Sequence, residues 1–367
     1  MELSEALSLV NKRVRGISQY HLEPRETRIK LNQNENPNDW PAAIKEEIAE
    51  FCRNRPWNLY PNFVPDRLKE KLSEYTGVPS KGIIVGNGSN EMLLVLLLSL
   101  MDAHAQVIIC QPTFTIYRLL VNGLGGTEEI VRLKPDMSFD VDGICDAVKN
   151  KPQSLLILCS PNNPTGSALS ENDLRRVLEV QTGFLILDQA YVEFGGFNAI
   201  PLLKEYPNII ITRTFSKAMA GAGLRLGYML GAPGIISEIN KIKLPYNINF
   251  FSEHVAEVLL THTDYVQAKV AEIIAQRDAL YAFFKTLPLE NVYPSSSNFI
   301  LVRSKKKTEL FEHLAKNGIL VRDVSSYPML ENCLRINAGT TGENQALQKA
   351  MKEFFVWNKI DFLMREA

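Results

Sequence analysis

Two cations stand in the stretch TFSKAMAGAGLRLGY, Thr214 to Tyr228: Lys217 among small residues, and Arg225 eight positions later. A lysine shut in among Ala, Met and Gly loses hydration of its ammonium, and a neutral amine is what attack on a carbonyl requires. Lowering its pKa by about three units costs about 4 kcal/mol, which the fold must supply. Thr214, Ser216 and Arg225 offer two hydroxyls and a guanidinium, groups that suit a doubly charged phosphate. Upstream, FLILDQAYVEF sets Asp188 at the end of an apolar run, with Tyr191 three residues on. A carboxylate there is costly to bury unless it meets a cation, and a protonated ring nitrogen of a bound group is one. SPNNPTG, Ser160 to Gly166, is a rigid turn that can aim an Asn amide into a crevice. GNGSNE, Gly86 to Glu91, can bring free N–H groups to a phosphate at a helix start. Each has an ordinary reading too: a surface lysine after a strand, an aspartate capping the next segment, two plain turns.

These motifs follow apolar runs. IIV (83–85), QVIIC (106–110), SLLILC (154–159), FLILD (184–188), NIIIT (208–212) and GYMLG (227–231) alternate with helical patterns. The rhythm predicts an α/β domain, a mostly parallel sheet with helices on its faces, and such sheets bind ligands beyond the carboxyl ends of their strands. SENDLRRVLEV opens with a capping Ser170 and has Asp173 three residues later, the signature of a helix start. Near Pro245 the texture changes to one long helical stretch, from about Phe251 to Leu287. FILV (299–302), ILV (319–321) and LRI (334–336) follow, with helices between them. The expected organisation is an N-terminal arm over 1–35 packing with the small domain, a large α/β domain over 36–250, and a smaller α+β domain over 251–367.

A chain of 367 residues has room for two domains. Forty Lys and Arg balance 41 Asp and Glu, so no global field points to nucleic acid or an anionic membrane. Any anion must be caught locally. The five cysteines form no CxxC pair and read as free thiols of a reducing compartment. MELSEALSLVNKRVRG has no signal-peptide core, and the longest apolar run, MLLVLLLSLM (92–101), is too short to span a bilayer. A cytoplasmic protein is expected. The five histidines (His21, His104, His254, His262, His313) follow no ligand pattern, and no metal site is expected.

The ordered set NNPTG, D-x-x-Y, and T-x-S-K with Arg eight residues after the Lys resembles the fold type I pyridoxal phosphate aminotransferases. From KLNQNENP (30–37) through LYPN (59–62), GNGSNE, QPTFTIYR (111–118), CSPNNPTG, LDQAYVEF and TFSKAMAGAGLRLGY to VRDV and CLRINAGT, the chain resembles one branch of them, the histidinol-phosphate aminotransferases. The resemblance implies a seven-stranded-type sheet sandwiched by helices, with pyridoxal 5'-phosphate as cofactor. Lys217 takes the place of the lysine that bonds the cofactor covalently, Asp188 that of the ring nitrogen's partner, and Tyr191 and Asn163 those of the residues on its phenolic oxygen. Phe114 stands where an aromatic stacks on the ring. Ser89, Asn90, Thr214, Ser216 and Arg225 match the phosphate cup. Tyr60 matches a tyrosine that reaches the neighbouring subunit's cofactor, which implies a homodimer. Arg335 matches the arginine that pairs with the substrate carboxylate, and Tyr20, Asn36 and Arg322 fall where this branch meets its substrate. The implied reaction is a ping-pong amino transfer between histidinol phosphate and 2-oxoglutarate, with one pocket taking a phosphate or a carboxylate.

The chain departs from the common motifs at GSNE for GSDE, at DQAY for DEAY, and at RINAGTTGEN for RITVGT. Threonine-phosphate decarboxylases and aromatic aminotransferases share the motifs of the cofactor site. From another class, a nicotinamide oxidoreductase would rest on GNGSNE and GAGLRLG, but the acidic residue expected after the next strand is missing, since QVIIC ends in Gln111-Pro112. A cofactor-binding regulator without turnover would need a DNA-binding extension, and none is apparent.

Overall fold

The computed structural model describes residues 1–17, 25, 27–102 and 104–365. Among them are twelve strands: β1 Ile29–Leu31, β2 Ile83–Gly86, β3 Gln106–Gln111, β4 Thr127–Arg132, β5 Leu155–Cys159, β6 Leu185–Asp188, β7 Ile209–Thr214, β8 Gly227–Leu230, β9 Asn291–Val292, β10 Phe299–Arg303, β11 Ile319–Asp323 and β12 Cys333–Asn337.

Seven strands form one sheet in the order β2-β8-β7-β6-β5-β3-β4. All its neighbours run parallel except β8, which is antiparallel to both β7 and β2. The six apolar runs coincide with six of these strands, and β5, β6 and β7 are buried along their whole length. Fully burying one of their Leu or Ile side chains is worth roughly 1.5–3 kcal/mol, so the sheet centre is the firmest part of the fold. The seventh strand, β4 (TEEIVR), is an edge strand whose exposure alternates along the chain. Its charges leave no apolar run, as suits an edge strand. The helix Glu171–Val180 begins as its sequence predicts: Ser170 Oγ accepts from Asp173 N at 3.1 Å, and Asp173 Oδ2 accepts from Ser170 N at 3.1 Å.

The second sheet has the order β1-β11-β12-β10-β9. β1 enters parallel to β11, which ties the segment after the N-terminus to this sheet. The long helical stretch is two helices, Phe250–Leu259 and Thr263–Phe284. They part at Thr261, whose hydroxyl bonds back to Val258 O at 2.6 Å, a local alternative to the next helical turn. Parallel register in the large sheet brings Cys159, Asp188 and Thr212 side by side at one end. Beyond that end the second sheet brings Arg322 and Arg335 to the same crevice as the strand termini.

Candidate active site

A crevice of 540 Å³ lies between the two sheets. Ser89, Asn90, Phe114, Asn163, Asp188, Tyr191, Thr214, Ser216, Lys217, Arg225, Arg322 and Arg335 all line it. A larger hollow of 960 Å³ by Leu287, Leu289 and Phe355 sets three lysines, Glu290 and Ser304 around an apolar floor. Converging polar groups of different kinds mark the crevice as the site.

Lys217 is carried by the loop after β7. Phe215 N donates to Leu226 O and Gly221 N to Phe215 O, so the small residues fold back tightly beneath the amine. Ala220 and Arg225 take left-handed φ of 49° and 52° in doing so. Lys217 Nζ donates to Gln33 O at 2.9 Å and lies 5.7 Å from the centre of the Tyr191 ring. Burial, joined by the charges of Arg335 and Arg225 and opposed by Glu35, pushes its pKa down to about 7. A large share of the amine is therefore neutral near pH 7, the state a nucleophile or base needs.

Asp188, 3 % exposed, ends β6. Burial pushes its carboxyl above the usual range, against hydrogen bonds from Tyr117 Oη at 2.7 Å and Ala190 N at 3.1 Å. The bond to Ala190 N, two residues on, is a local turn contact of the kind an aspartate makes after a strand. It leaves unexplained why a carboxylate here also faces a cavity floor served by neutral donors. A protonated ring nitrogen above it would supply the missing positive charge. Phe114 meets Tyr117 edge to face, centroids 5.7 Å apart, and presents its own ring to the crevice. Tyr191 is 4 % exposed, and its hydroxyl accepts from Asn34 Nδ2 at 2.8 Å. Asn163 Oδ1 accepts from Arg335 Nη1, which leaves the amide NH2 as the donor for a ligand oxygen.

The residues fit a phosphate at the other end. The helix Gly88–Leu100 points its N-terminus, with Ser89 and Asn90 in the first turn, at the crevice, and Glu91 reaches back to Asn87 N. Gly88 has φ 78°, and a Cβ there would stand 2.9 Å from Arg225 Nη2. At Gly227 a Cβ would stand 2.4 Å from Ser89 N. Two glycines thus let the backbone, Arg225 and the helix start draw together. Thr214 Oγ1 and Ser216 Oγ lie 3.0 Å apart, and Arg225 Nη1 reaches Ser216 Oγ at 3.4 Å. Two hydroxyls, a guanidinium and a helix N-terminus together make a cradle for a dianion.

Arg335 is 7 % exposed; its Nη2 donates to Asn32 O at 2.7 Å, and its guanidinium lies 5.2 Å from the Phe299 centroid. Arg322 pairs with it across β11 and β12. Adjacent like charges repel, and an anion between them relieves the repulsion. Two expected residues stand elsewhere. Asn36 faces a neighbouring hollow, its Nδ2 donating to Ala218 O at 3.1 Å. Tyr60 is 78 % exposed and stacks on Tyr246, 4.7 Å between centroids, outside the crevice of its own chain. Tyr20 lies outside the described residues. Tyr117 and Asn34 also line the crevice, and although they lie in QPTFTIYR and KLNQNENP neither carries a signal of its own in the sequence. Of the departures, Gln189 points to the opposite side of β6, where its amide joins Arg213 Nη2 at 3.0 Å and Phe197 O at 2.7 Å, away from the crevice.

The chain matches the family model described as aminotransferase class I and II over residues 26–354. It is 36 % identical to the histidinol-phosphate aminotransferase of Chlorobaculum tepidum, covering 94 % of this chain and 100 % of the relative. It is 37 % identical to that of Chlorobium chlorochromatii, covering 95 % and 96 %. Among solved structures, histidinol-phosphate aminotransferase from Sinorhizobium meliloti in complex with pyridoxal-5'-phosphate superposes with a TM-score of 0.84 at 24 % identity, over 94 % of this chain and 97 % of that one. Among the described residues no helix is long and apolar enough to cross a membrane.

Proposed function

We propose, for a chain that belongs to the class I and II aminotransferase family, a pyridoxal phosphate-dependent exchange of an amino group between histidinol phosphate and 2-oxoglutarate, a step of histidine biosynthesis. The single observation that carries the reading is Lys217, an amine held near neutrality between a buried carboxylate and a phosphate cradle. Bound there, pyridoxal phosphate supplies a carbonyl carbon for the amino group and a protonated ring that takes up electrons when the substrate's Cα–H bond breaks. Asp188 holds the proton on the ring nitrogen. Tyr191 Oη and the Asn163 amide hold the phenolic oxygen, and Phe114 covers one ring face. Ser89, Asn90, Thr214, Ser216 and Arg225 bind the phosphate. Lys217 Nζ would move the proton between the substrate's Cα and the cofactor's C4′, a task for an amine whose pKa lies close to the working pH. Arg322 and Arg335 bind the substrate's phosphate or carboxylate; a guanidinium fork fits both, which lets one pocket serve both half-reactions.

Exposed apolar side chains at Trp57, Leu59, Tyr60, Phe63 and Leu244, with Tyr60 and Phe63 both packed on Tyr246, support a homodimer in which Tyr60 completes the partner's crevice. Free thiols at all five cysteines support a cytoplasmic setting. A half-reaction screen tests the function. The enzyme loaded with pyridoxal phosphate is mixed with histidinol phosphate, phenylalanine, threonine phosphate or glutamate, and loss of its visible band is followed. Histidinol phosphate and glutamate should both bleach it. Bleaching by phenylalanine but not by histidinol phosphate would move the assignment to an aromatic substrate.

A further inference from the structure

The loop Asn32–Asn36 touches three groups of the crevice that handle a proton or a charge: Arg335, Lys217 and Tyr191. Asn32 O receives Arg335 Nη2, Gln33 O receives Lys217 Nζ, and Asn36 Nδ2 bonds Ala218 O. Asn34 stands at its centre, 1 % exposed and at φ 55°, a left-handed conformation that Asn tolerates better than other side chains. Its carbonyl accepts from Asn298 Nδ2 at 3.1 Å. With the Asn337 amide oriented to satisfy its neighbours, Asn337 Nδ2 donates to Asn34 Oδ1 at 2.8 Å and its oxygen accepts from Asn34 N. Asn298 and Asn337 are buried residues of the second sheet and its approach, and Asn337 is one of the positions at which the chain departs from the common RITVGT motif.

This network fixes which way the Asn34 amide points. Its oxygen is occupied by Asn337, so its NH2 group faces Tyr191 Oη at 2.8 Å. An amide NH2 donates and cannot accept, so the phenol must receive this bond and direct its own proton elsewhere. We propose that Asn34 is a positioning residue that commits the Tyr191 hydroxyl proton to the crevice, where the phenol donates it in a hydrogen bond to the phenolic oxygen of pyridoxal phosphate; the inference rests on the cofactor reading above. The same bond opposes the effect of burial, which otherwise pushes the Tyr191 phenol up and weakens it as a donor. Anchorage on Asn298 and Asn337 makes the direction of a proton in the large-sheet site depend on the second sheet.

The test is a pH titration of the visible band of the loaded enzyme. A donor on the phenolic oxygen favours its ionised form and lets the nitrogen joined to Lys217 lose its proton at lower pH. Losing the donor should therefore raise the midpoint. Asn34→Gly removes the amide while accepting the positive φ. It should raise the midpoint by about 0.5–1 pH unit, in the direction of Tyr191→Phe. The double variant should lie no higher than Tyr191→Phe alone, because both changes remove one donor. An unmoved midpoint in Asn34→Gly, or shifts that add in full, would overturn the proposal. Should the glycine variant fail to fold, Asn34→Asp keeps the volume and the kink but replaces the donor by an acceptor, and the same comparison with Tyr191→Phe decides. A loaded enzyme with no visible band that depends on Lys217 would instead sink the cofactor reading, and this inference with it.

Discussion

Replacing Lys217 by Met should stabilise the cofactor-free protein, and the gain should depend on pH. The methionine keeps most of the volume and removes an ammonium that the crevice disfavours. A drop in pKa from 10.5 to about 7 corresponds to roughly 5 kcal/mol, at about 1.4 kcal/mol per tenfold in proton affinity. Solvent reaching the amine from the crevice takes back part of this, leaving about 2–3 kcal/mol. The sign follows from proton counts. Between about pH 7 and 10.5 the unfolded chain binds more protons at Lys217 than the folded one, so wild-type stability rises with pH across that window. Below about pH 7 the full penalty applies. Urea unfolding of the two cofactor-free proteins at pH 6, 8 and 10 should show a gap in favour of Lys217→Met that is largest at pH 6 and shrinks at each step. Equal stabilities at pH 6, or a gap that widens with pH, would refute the idea that the fold holds this amine at a cost.

Three further outcomes follow from named contacts. Arg225→Ala removes the guanidinium from the phosphate cradle and should weaken cofactor binding by about 2–3 kcal/mol, a 30- to 150-fold rise in Kd by fluorescence titration. Tyr117→Phe deletes a hydrogen bond to the Asp188 carboxylate and should lower kcat about 10- to 100-fold with cofactor affinity little changed, which steady-state kinetics and the same titration separate. Ser170→Ala should leave activity intact and cost about 1 kcal/mol in urea unfolding, because it removes one half of the capping box on the helix Glu171–Val180.

The sheet was legible where burial on both faces leaves an apolar run, as in LLILC and the III of NIIIT. β4 and β1 were not, since an edge strand alternates charges and a three-residue strand has no period to detect. The site was legible as an ordered set of residue types at strand ends, which the parallel register then brings together at Cys159, Asp188 and Thr212. Asn34 and Tyr117 were not legible as members. Their partners lie 157 and 71 residues away, and an amide or a phenol in a motif does not announce which distant group it will meet. DQAY was visible as a departure, but only strand alternation shows that Gln189 belongs to the far face. Tyr60 is the converse case: its motif points to the site, while within one chain its ring lies in the open.

The central claim is that Lys217 joins pyridoxal phosphate and that the loaded site takes an amino group from histidinol phosphate and passes it to 2-oxoglutarate. One stopped-flow measurement tests it directly: loaded wild-type enzyme and Lys217→Ala, each mixed with histidinol phosphate while the visible spectrum is recorded. The account predicts a band in the wild type that bleaches on mixing and returns with 2-oxoglutarate, and a variant that lacks this cycle. A wild-type band that histidinol phosphate leaves unchanged, or a Lys217→Ala protein that cycles like the wild type, would contradict it.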